Sequence, residues 1–142
     1  MNNYSDADRG KFQTEYAKQL ISFDGLKFKG RSGFNNVTPT DIDGVVQLDN
    51  ENCFIFFELK HSGFMPCGQS DALTKLCDAV QNGGVNCAVI VATHNTKYPE
   101  TIMARNAIVS QLYMKGQWYT ERKGRTLKEI ALKFIDFIKE DK

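Results

Sequence analysis

The sequence contains no closely paired cysteines and no long apolar run, and these absences exclude several classes of protein. Its four cysteines are widely spaced with no C-x-x-C pair, whereas a zinc site needs closely spaced ligands. No stretch approaches the roughly 18 uncharged apolar residues of a membrane span, and the N-terminal residues lack the apolar segment of a secretory signal. We therefore expect a cytosolic protein with no membrane partner, no structural zinc and no disulfides.

An excess of charge of either sign is also missing. Lys and Arg total 18 against 17 Asp and Glu, so the net charge is close to zero. The whole-molecule charge therefore does not indicate nucleic-acid binding, and any electrostatic attraction to DNA must be local. The 142 residues are 42% hydrophobic and 25% charged, which is typical of a globular protein, and we predict a single domain over residues 1–142.

The spacing of apolar residues predicts an α/β fold with a central mixed β-sheet flanked by helices, in the core order αβββαβ. Helices are predicted where apolar residues recur every three or four positions, over residues 6–21, 69–81 and 127–139. A hairpin is predicted from two β-rich runs, 41–48 and 53–60. Residues 85–94 form a continuous apolar run, which is typical of a central strand covered on both faces.

Three segments are less regular. Residues 26–39 mix basic and aromatic residues with glycines, which favours a short strand and a mobile basic loop. Residues 102–114 fit a helix and a strand equally well, and residues 116–124 fit an edge strand and a turn.

The predicted hairpin brings charged side chains to the end of an apolar strand. Because side chains alternate along a strand, Glu58 and Lys60 share one face, and pairing can place Asp41 and Asp43 beside Glu58. Carboxylates near an apolar core repel each other unless a cation neutralises them. Magnesium takes one or two carboxylates with waters and phosphates, which suits Asp43 and Glu58. Lys60 adds a positive charge that can orient water or stabilise a transition state.

These residues resemble the signature of the PD-(D/E)XK nucleases. TPTDIDG and FIFFELK match its two halves, and RGKFQTEY and GQSDAL around them resemble phage-type members and bacterial Holliday-junction resolvases of this superfamily. The resemblance covers residues 9–94 approximately. The motif reads P-T-D rather than P-D, which leaves the register open between Asp41 and Asp43. We favour Asp43 because the apolar strand resumes after Gly44, a residue that leaves room for a backbone or ligand to approach.

The resemblance implies a restriction-endonuclease-like sheet and Mg²⁺- or Mn²⁺-dependent hydrolysis of DNA that leaves a 5′ phosphate. It implies that Glu58 is a metal ligand, that Lys60 is the catalytic lysine and that Leu59 lends its carbonyl oxygen to the metal. Glu15 matches a glutamate that completes the metal site in several branches, and Gln69 matches a glutamine on the helix after E-x-K. Resolvases of this superfamily act as dimers, so a homodimer is compatible with the resemblance.

Two further features bear on substrate binding. Lys27, Lys29 and Arg31 lead towards the predicted hairpin and are candidates for contacts to DNA phosphates. His94 ends the predicted central strand, close to where such sheets present their sites. An alternative function stays open, namely a catalytically silent nucleic-acid-binding or adaptor domain on the same fold, in which the carboxylates are structural.

Overall fold

The chain falls into two compact units. The computed structural model describes residues 22–30, 36–61 and 67–141. The units are Met1–Thr40 and Asp41–Lys142. In the first unit, β1 (Phe28–Lys29) pairs antiparallel with β2 (Asn36–Val37). No helix among the described residues is both long and apolar enough to cross a membrane.

The second unit is built on a five-stranded mixed sheet. Its strands follow each other in chain order: β3 (Gly44–Leu48), β4 (Cys53–Lys60), β5 (Asn86–Thr93), β6 (Ile108–Met114) and β7 (Gln117–Thr120). β4 and β5 are parallel, and the other neighbouring strands are antiparallel. The parallel pair is connected through α1 (Cys67–Asn82), as a parallel crossover requires, and α2 (Leu127–Glu140) follows β7. The predicted α/β fold, a mixed sheet flanked by helices, is confirmed.

Each face of this sheet carries an apolar core beneath one helix. The buried residues of α2 are Leu127, Ile130, Phe134 and Ile138. They pack on one face, which we name the α2 face. The helix α1 covers the opposite face of the sheet through Leu73 and Cys77, and we name this face the α1 face. Residues 87–92 of β5 are 0% exposed, as expected for a continuous apolar strand covered on both sides.

Most predicted elements of the second unit are confirmed with small shifts of their ends. The predicted hairpin is β3–β4, the predicted central strand is β5, and the predicted helices are α1 and α2. α2 begins with a capping box, because the Thr126 hydroxyl accepts from the Glu129 backbone N at 3.2 Å and the Glu129 carboxylate accepts from the Thr126 backbone N at 3.3 Å. The predicted helix over residues 6–21 lies outside the described residues.

In the less regular segments, the structure shows which residues form strands and which form a 3₁₀ turn. Residues 102–114 contain both a 3₁₀ turn, Ala104–Asn106, and β6. The predicted edge strand is β7. β1 and β2 pair with each other, while β6 and β7 extend the sheet beyond the predicted core order. The prediction of a single domain over the whole chain stays a prediction.

Candidate active site

The charged residues of the hairpin lie at one end of the five-stranded sheet. β4 ends at Lys60, and the parallel β5 ends beside it. β3 is antiparallel to β4 and begins at the same end, with Gly44 opposite Phe57. Asp43 directly precedes β3, and Glu58 directly follows Phe57 on β4, so both are adjacent to this last pair of the register. We name Asp43, Glu58 and Lys60 the charged end of the sheet.

Glu58 is a buried acid inside the α1 face. Its side chain is 1% exposed, whereas that of Lys60 is 23% exposed. Lys60 Nζ lies 3.8 Å from Glu58 Oε2, so the two side chains point to the same face, as strand alternation predicts. Taking a carboxylate out of water costs several kcal/mol unless a cation compensates it. The ammonium group of Lys60 provides such compensation at Glu58.

Asp43 is joined to the same strand end by a short hydrogen bond. The backbone N of Leu59 donates to Asp43 Oδ2 at 2.7 Å. The residue before Asp43, Ile42, packs against the core of the α1 face and anchors this segment. Asp41 lies on the other side of Ile42 and is exposed. The hydrogen bond therefore brings the carboxylate of Asp43 to the E-x-K segment.

The backbone carbonyl of Leu59 faces the β3 side of β4. Along a strand, the N–H and C=O of one residue point to one neighbouring strand, and those of the next residue point to the other. The carbonyl oxygen of Lys60 accepts from the backbone N of His94 at 3.0 Å, on the β5 side. The N–H of Leu59 points to the β3 side, where it meets Asp43. The Leu59 carbonyl therefore faces the β3 side as well.

These oxygen atoms form a donor set that fits magnesium. Among the described residues, no group of three or more His, Cys, Asp or Glu side chains is placed to hold a metal ion. Magnesium needs fewer, since it is usually held by one or two carboxylates together with waters and substrate phosphates. The carboxylates of Asp43 and Glu58 and the carbonyl of Leu59 are hard oxygen donors of this kind.

Gly44 makes room for an aromatic ring. A Cβ atom at this position would lie 3.1 Å from Cδ2 of Phe57, which is tighter than ordinary van der Waals contact. The sequence suggested a backbone or ligand as the approaching group, and the structure shows a side chain from the opposite strand. A larger residue at position 44 would displace the ring of Phe57, the residue directly before Glu58.

Several predicted site residues lie partly or wholly outside the described residues. Glu15 and Arg31 belong to the undescribed segments. Gln69 is in the first turn of α1, but its side chain is not described. Lys27 and Lys29 belong to the first unit, where both are exposed and flank Phe28 of β1. The predicted roles of all five residues stay predictions.

The sequence indicated His94 as a candidate, but not the polar pocket that it lines at the end of β5, which we name the β5-end pocket. Its volume is about 360 Å³, and it is lined by Thr93, His94, Asn95, Thr96, Met103, Asn106, Ala107 and Ile108. The His94 ring meets the His61 ring edge to face, with the centroids 5.4 Å apart. A signal for the pocket was present, because the polar run T-H-N-T follows the apolar strand, and ligands bind beyond the carboxyl ends of such strands.

Comparisons with known proteins identify no family for the chain. No protein-family model, no curated protein and no solved structure matches it. The resemblance to PD-(D/E)XK nucleases therefore depends on the residues and geometry of this chain, and it stays a prediction.

Proposed function

We propose that the chain is a Mg²⁺-dependent nuclease that hydrolyses phosphodiester bonds of DNA, with Mn²⁺ as a substitute ion. The observation that carries the proposal is the 2.7 Å hydrogen bond from the Leu59 backbone to Asp43. It joins one carboxylate to the strand end that bears a second carboxylate, Glu58, and an ammonium group, Lys60. Two acids and a lysine meeting at the end of a sheet are the groups that metal-assisted phosphodiester hydrolysis requires.

Each residue of the charged end has a distinct role in this proposal. Asp43, Glu58 and the Leu59 carbonyl would hold the ion, which would supply Lewis acidity at a phosphoryl oxygen. Lys60 Nζ, 3.8 Å from Glu58 Oε2, orients or helps to deprotonate the attacking water, or stabilises charge that develops on the phosphoryl group. The attacking water gives up a proton to solvent as its oxygen bonds to phosphorus, and the bond from phosphorus to the 3′ oxygen breaks. That oxygen takes up a proton, and the phosphate stays on the 5′ side.

The proposed partner is DNA, and the first unit supports it through positive charge. Lys27 and Lys29 are exposed on either side of Phe28, an arrangement suited to phosphate contacts. Symmetrical cutting of two strands would require two sites related by a twofold axis, so a homodimer belongs to the same proposal.

The ion pair between Glu58 and Lys60 is also the observation that favours the alternative function. A carboxylate compensated by a neighbouring ammonium group has less need of a metal ion. In that case the charged end would be structural, and the domain would bind nucleic acid or act as an adaptor without cutting it.

A cleavage assay separates the two functions. Purified protein is incubated with labelled linear duplex, single-stranded and four-way-junction DNA in Mg²⁺, Mn²⁺ or EDTA. We expect metal-dependent cleavage that falls at least about a thousandfold in Glu58→Ala and in Glu58→Gln, because a metal ligand is lost. Glu140→Ala, which changes an exposed glutamate at the end of α2, is the matched control and should cleave like the unmodified chain.

The outcome decides between enzyme and binding module. Glu58→Gln keeps the volume of the buried side chain, so circular dichroism of this variant should show an unchanged fold. DNA binding without cleavage in either metal would support the silent module. Cleavage that persists in EDTA, or in both Glu58 variants, would refute the proposed metal site.

A further inference from the structure

The β5-end pocket lies one strand away from the charged end. Thr93, which lines the pocket, is paired in register with Lys60. Neighbouring strands are about 4.8 Å apart, so the pocket and the charged end lie close together at the same end of the sheet. Both belong to the same unit of the chain.

Backbone hydrogen bonds fix the walls of the pocket. The N–H of Leu127, the first residue of α2, donates to the carbonyl of Ala107 at 2.8 Å. The N–H of Val109 donates to the carbonyl of Arg125 at 2.9 Å, and the Thr93 hydroxyl donates to the carbonyl of Ile108 at 3.4 Å. The segment that forms one wall is therefore tied to both α2 and β5. Small-molecule sites are usually pre-formed in this way, with volumes of roughly 300 to 1,000 Å³.

The lining combines amide groups with apolar surface. Asn95 and Asn106 each carry an amide donor and an amide acceptor, the groups that pair with the edges of nucleobases. Met103 and Ile108 are 47% and 43% exposed and offer apolar surface to the face of a ring. A flat heterocycle with polar edges matches this lining.

His94 adds a further hydrogen-bonding group. Its Nδ1 accepts from the backbone N of Thr96 at 3.2 Å. In a neutral imidazole, the nitrogen that accepts carries no proton, so Nε2 of His94 is the donor. The lining thus offers an imidazole N–H in addition to the two amides.

The charges around the pocket favour a base inside it and phosphates outside it. Among the described residues that line the pocket there is no Lys or Arg, the residues that hold phosphates. Lys97 directly follows Thr96, Arg105 directly precedes Asn106, and both basic residues are exposed. Glu100 is an acidic residue in the same loop. Tyr98, next to Lys97, is 97% exposed, and exposed aromatic rings beside basic residues are suited to stacking on unpaired bases.

We infer that the β5-end pocket binds one unstacked nucleobase of the DNA strand held at the charged end. This inference rests on the proposed function, since it gives the nuclease a subsite next to the scissile phosphate. Asn95 and Asn106 contact the edge of the base, and Met103 and Ile108 contact its face. The pocket therefore selects DNA with an unpaired nucleotide, as found in single strands and at branch points.

The test uses single nucleotides, so it does not depend on cleavage. The ¹⁵N-labelled full chain is titrated, in EDTA, with each of the four deoxynucleoside 5′-monophosphates, with deoxyribose 5-phosphate and with inorganic phosphate. We expect the backbone amide signals of Thr96, Asn106 and Ala107 to shift with at least one nucleotide and not with the two probes that lack a base. Asn106→Ala should weaken nucleotide binding about tenfold through lost hydrogen bonds.

A matched variant controls for the change from amide to methyl. Asn82→Ala alters an exposed asparagine at the end of α1 and should bind nucleotides like the unmodified chain. Equal shifts with deoxyribose 5-phosphate, no shifts with any nucleotide, or unchanged binding in Asn106→Ala would overturn the inference. If the chain cleaves DNA but shows no nucleotide shifts, the proposed subsite is refuted and the proposed nuclease is not. If the chain shows the shifts but never cleaves DNA, the proposed nuclease is refuted and base binding in the pocket is supported.

Discussion

The two faces of the five-stranded sheet differ in what they bury. The core of the α2 face consists of apolar residues. Beside Ile130 and Phe134 of this face, Arg125 pairs with Glu121 at 2.8 Å, and the Glu121 side chain is 7% exposed. The α1 face also has an apolar core, but it contains the carboxylate of Glu58 and the hydroxyl of Tyr113. Burial of polar groups costs free energy unless they are paired. Glu121 on the α2 face thus has an arginine at 2.8 Å, whereas Glu58 on the α1 face is 1% exposed and has its ammonium partner at 3.8 Å. We therefore assign a stabilising role to the α2 face and a functional role to Glu58.

Both polar groups of the α1 face have partners at measured distances. Glu58 has Lys60 at 3.8 Å, and the hydroxyl of Tyr113 donates to Asp78 Oδ1 on α1 at 2.7 Å. The second pair links the helix to the sheet and is structural. The first pair lies at the charged end, where a substrate can approach. The same face therefore separates into a structural part and a part that we assign to function.

The largest effect is expected from breaking the ion pair at the charged end. Lys60→Met should lower cleavage about a thousandfold, because the ammonium group near the phosphate is lost. It should also lower the free energy of unfolding by roughly 3 kcal/mol, since the buried charge of Glu58 loses its ion pair. Adding Glu58→Gln should restore stability but not cleavage, as measured by urea unfolding and by the cleavage assay.

An exposed ion pair on the helix α1 is the control for this variant. Lys75 Nζ lies 3.1 Å from Asp71 Oδ2 on α1, and its side chain is 71% exposed. Lys75→Met should change stability by less than about 0.5 kcal/mol and leave cleavage intact, because exposed pairs contribute little. Similar losses in the Lys60 and Lys75 variants would show that the pair at the charged end contributes no more than an exposed ion pair.

The next effect is expected on the α2 face and on stability alone. Phe134 of α2 is 5% exposed, and Phe134→Ala should lower the free energy of unfolding by about 3–5 kcal/mol through the cavity it leaves. Cleavage per folded molecule should stay the same. Phe137→Ala removes a ring that is 38% exposed on the same helix and should cost about 1 kcal/mol or less. A cleavage defect in folded Phe134→Ala protein would contradict the assignment of the α2 face.

A smaller effect is expected at the structural pair of the α1 face. Burial and then the hydrogen bond to Asp78 raise the pKa of Tyr113 to about 12, above the ordinary pKa of about 10. The resulting stabilisation is fully present below pH 10 or so and is lost as the pH rises through about 12. Tyr113→Phe should therefore cost about 1–2 kcal/mol at neutral pH, and this difference should shrink in alkaline urea titrations. Tyr119→Phe, which changes a ring that is 43% exposed, should behave like the unmodified chain at both pH values.

Local sequence patterns predicted the parts of the site that lie on one strand. Glu58 and Lys60 are two positions apart in a β-rich run, so alternation alone puts them on one face. The choice between Asp41 and Asp43 depends on how the segment before β3 meets β4, and the hydrogen bond to Leu59 shows that the Asp43 carboxylate reaches β4. The motif left the choice of aspartate open because Asp41 and Asp43 are two positions apart and would share one face of a strand.

The β5-end pocket shows where sequence reasoning stopped. Its lining comes from two segments, 93–96 and 103–108, which lie on either side of a loop. The second segment fitted a helix and a strand equally well, because it contains a 3₁₀ turn directly before β6. A pocket built across such a junction depends on the bonds to α2 and β5, and no spacing rule within a single element predicts them.

The central claim is that the charged end binds a divalent cation through Asp43 and Glu58. Calorimetric titration of the chain with Mn²⁺ tests it directly, with Asp43→Asn as the test variant and Asp41→Asn as the control. The account predicts one ion for each chain, an affinity at least about tenfold weaker in Asp43→Asn, and an unchanged affinity in Asp41→Asn. Absence of Mn²⁺ binding, or equal binding in Asp43→Asn and the unmodified chain, would contradict it.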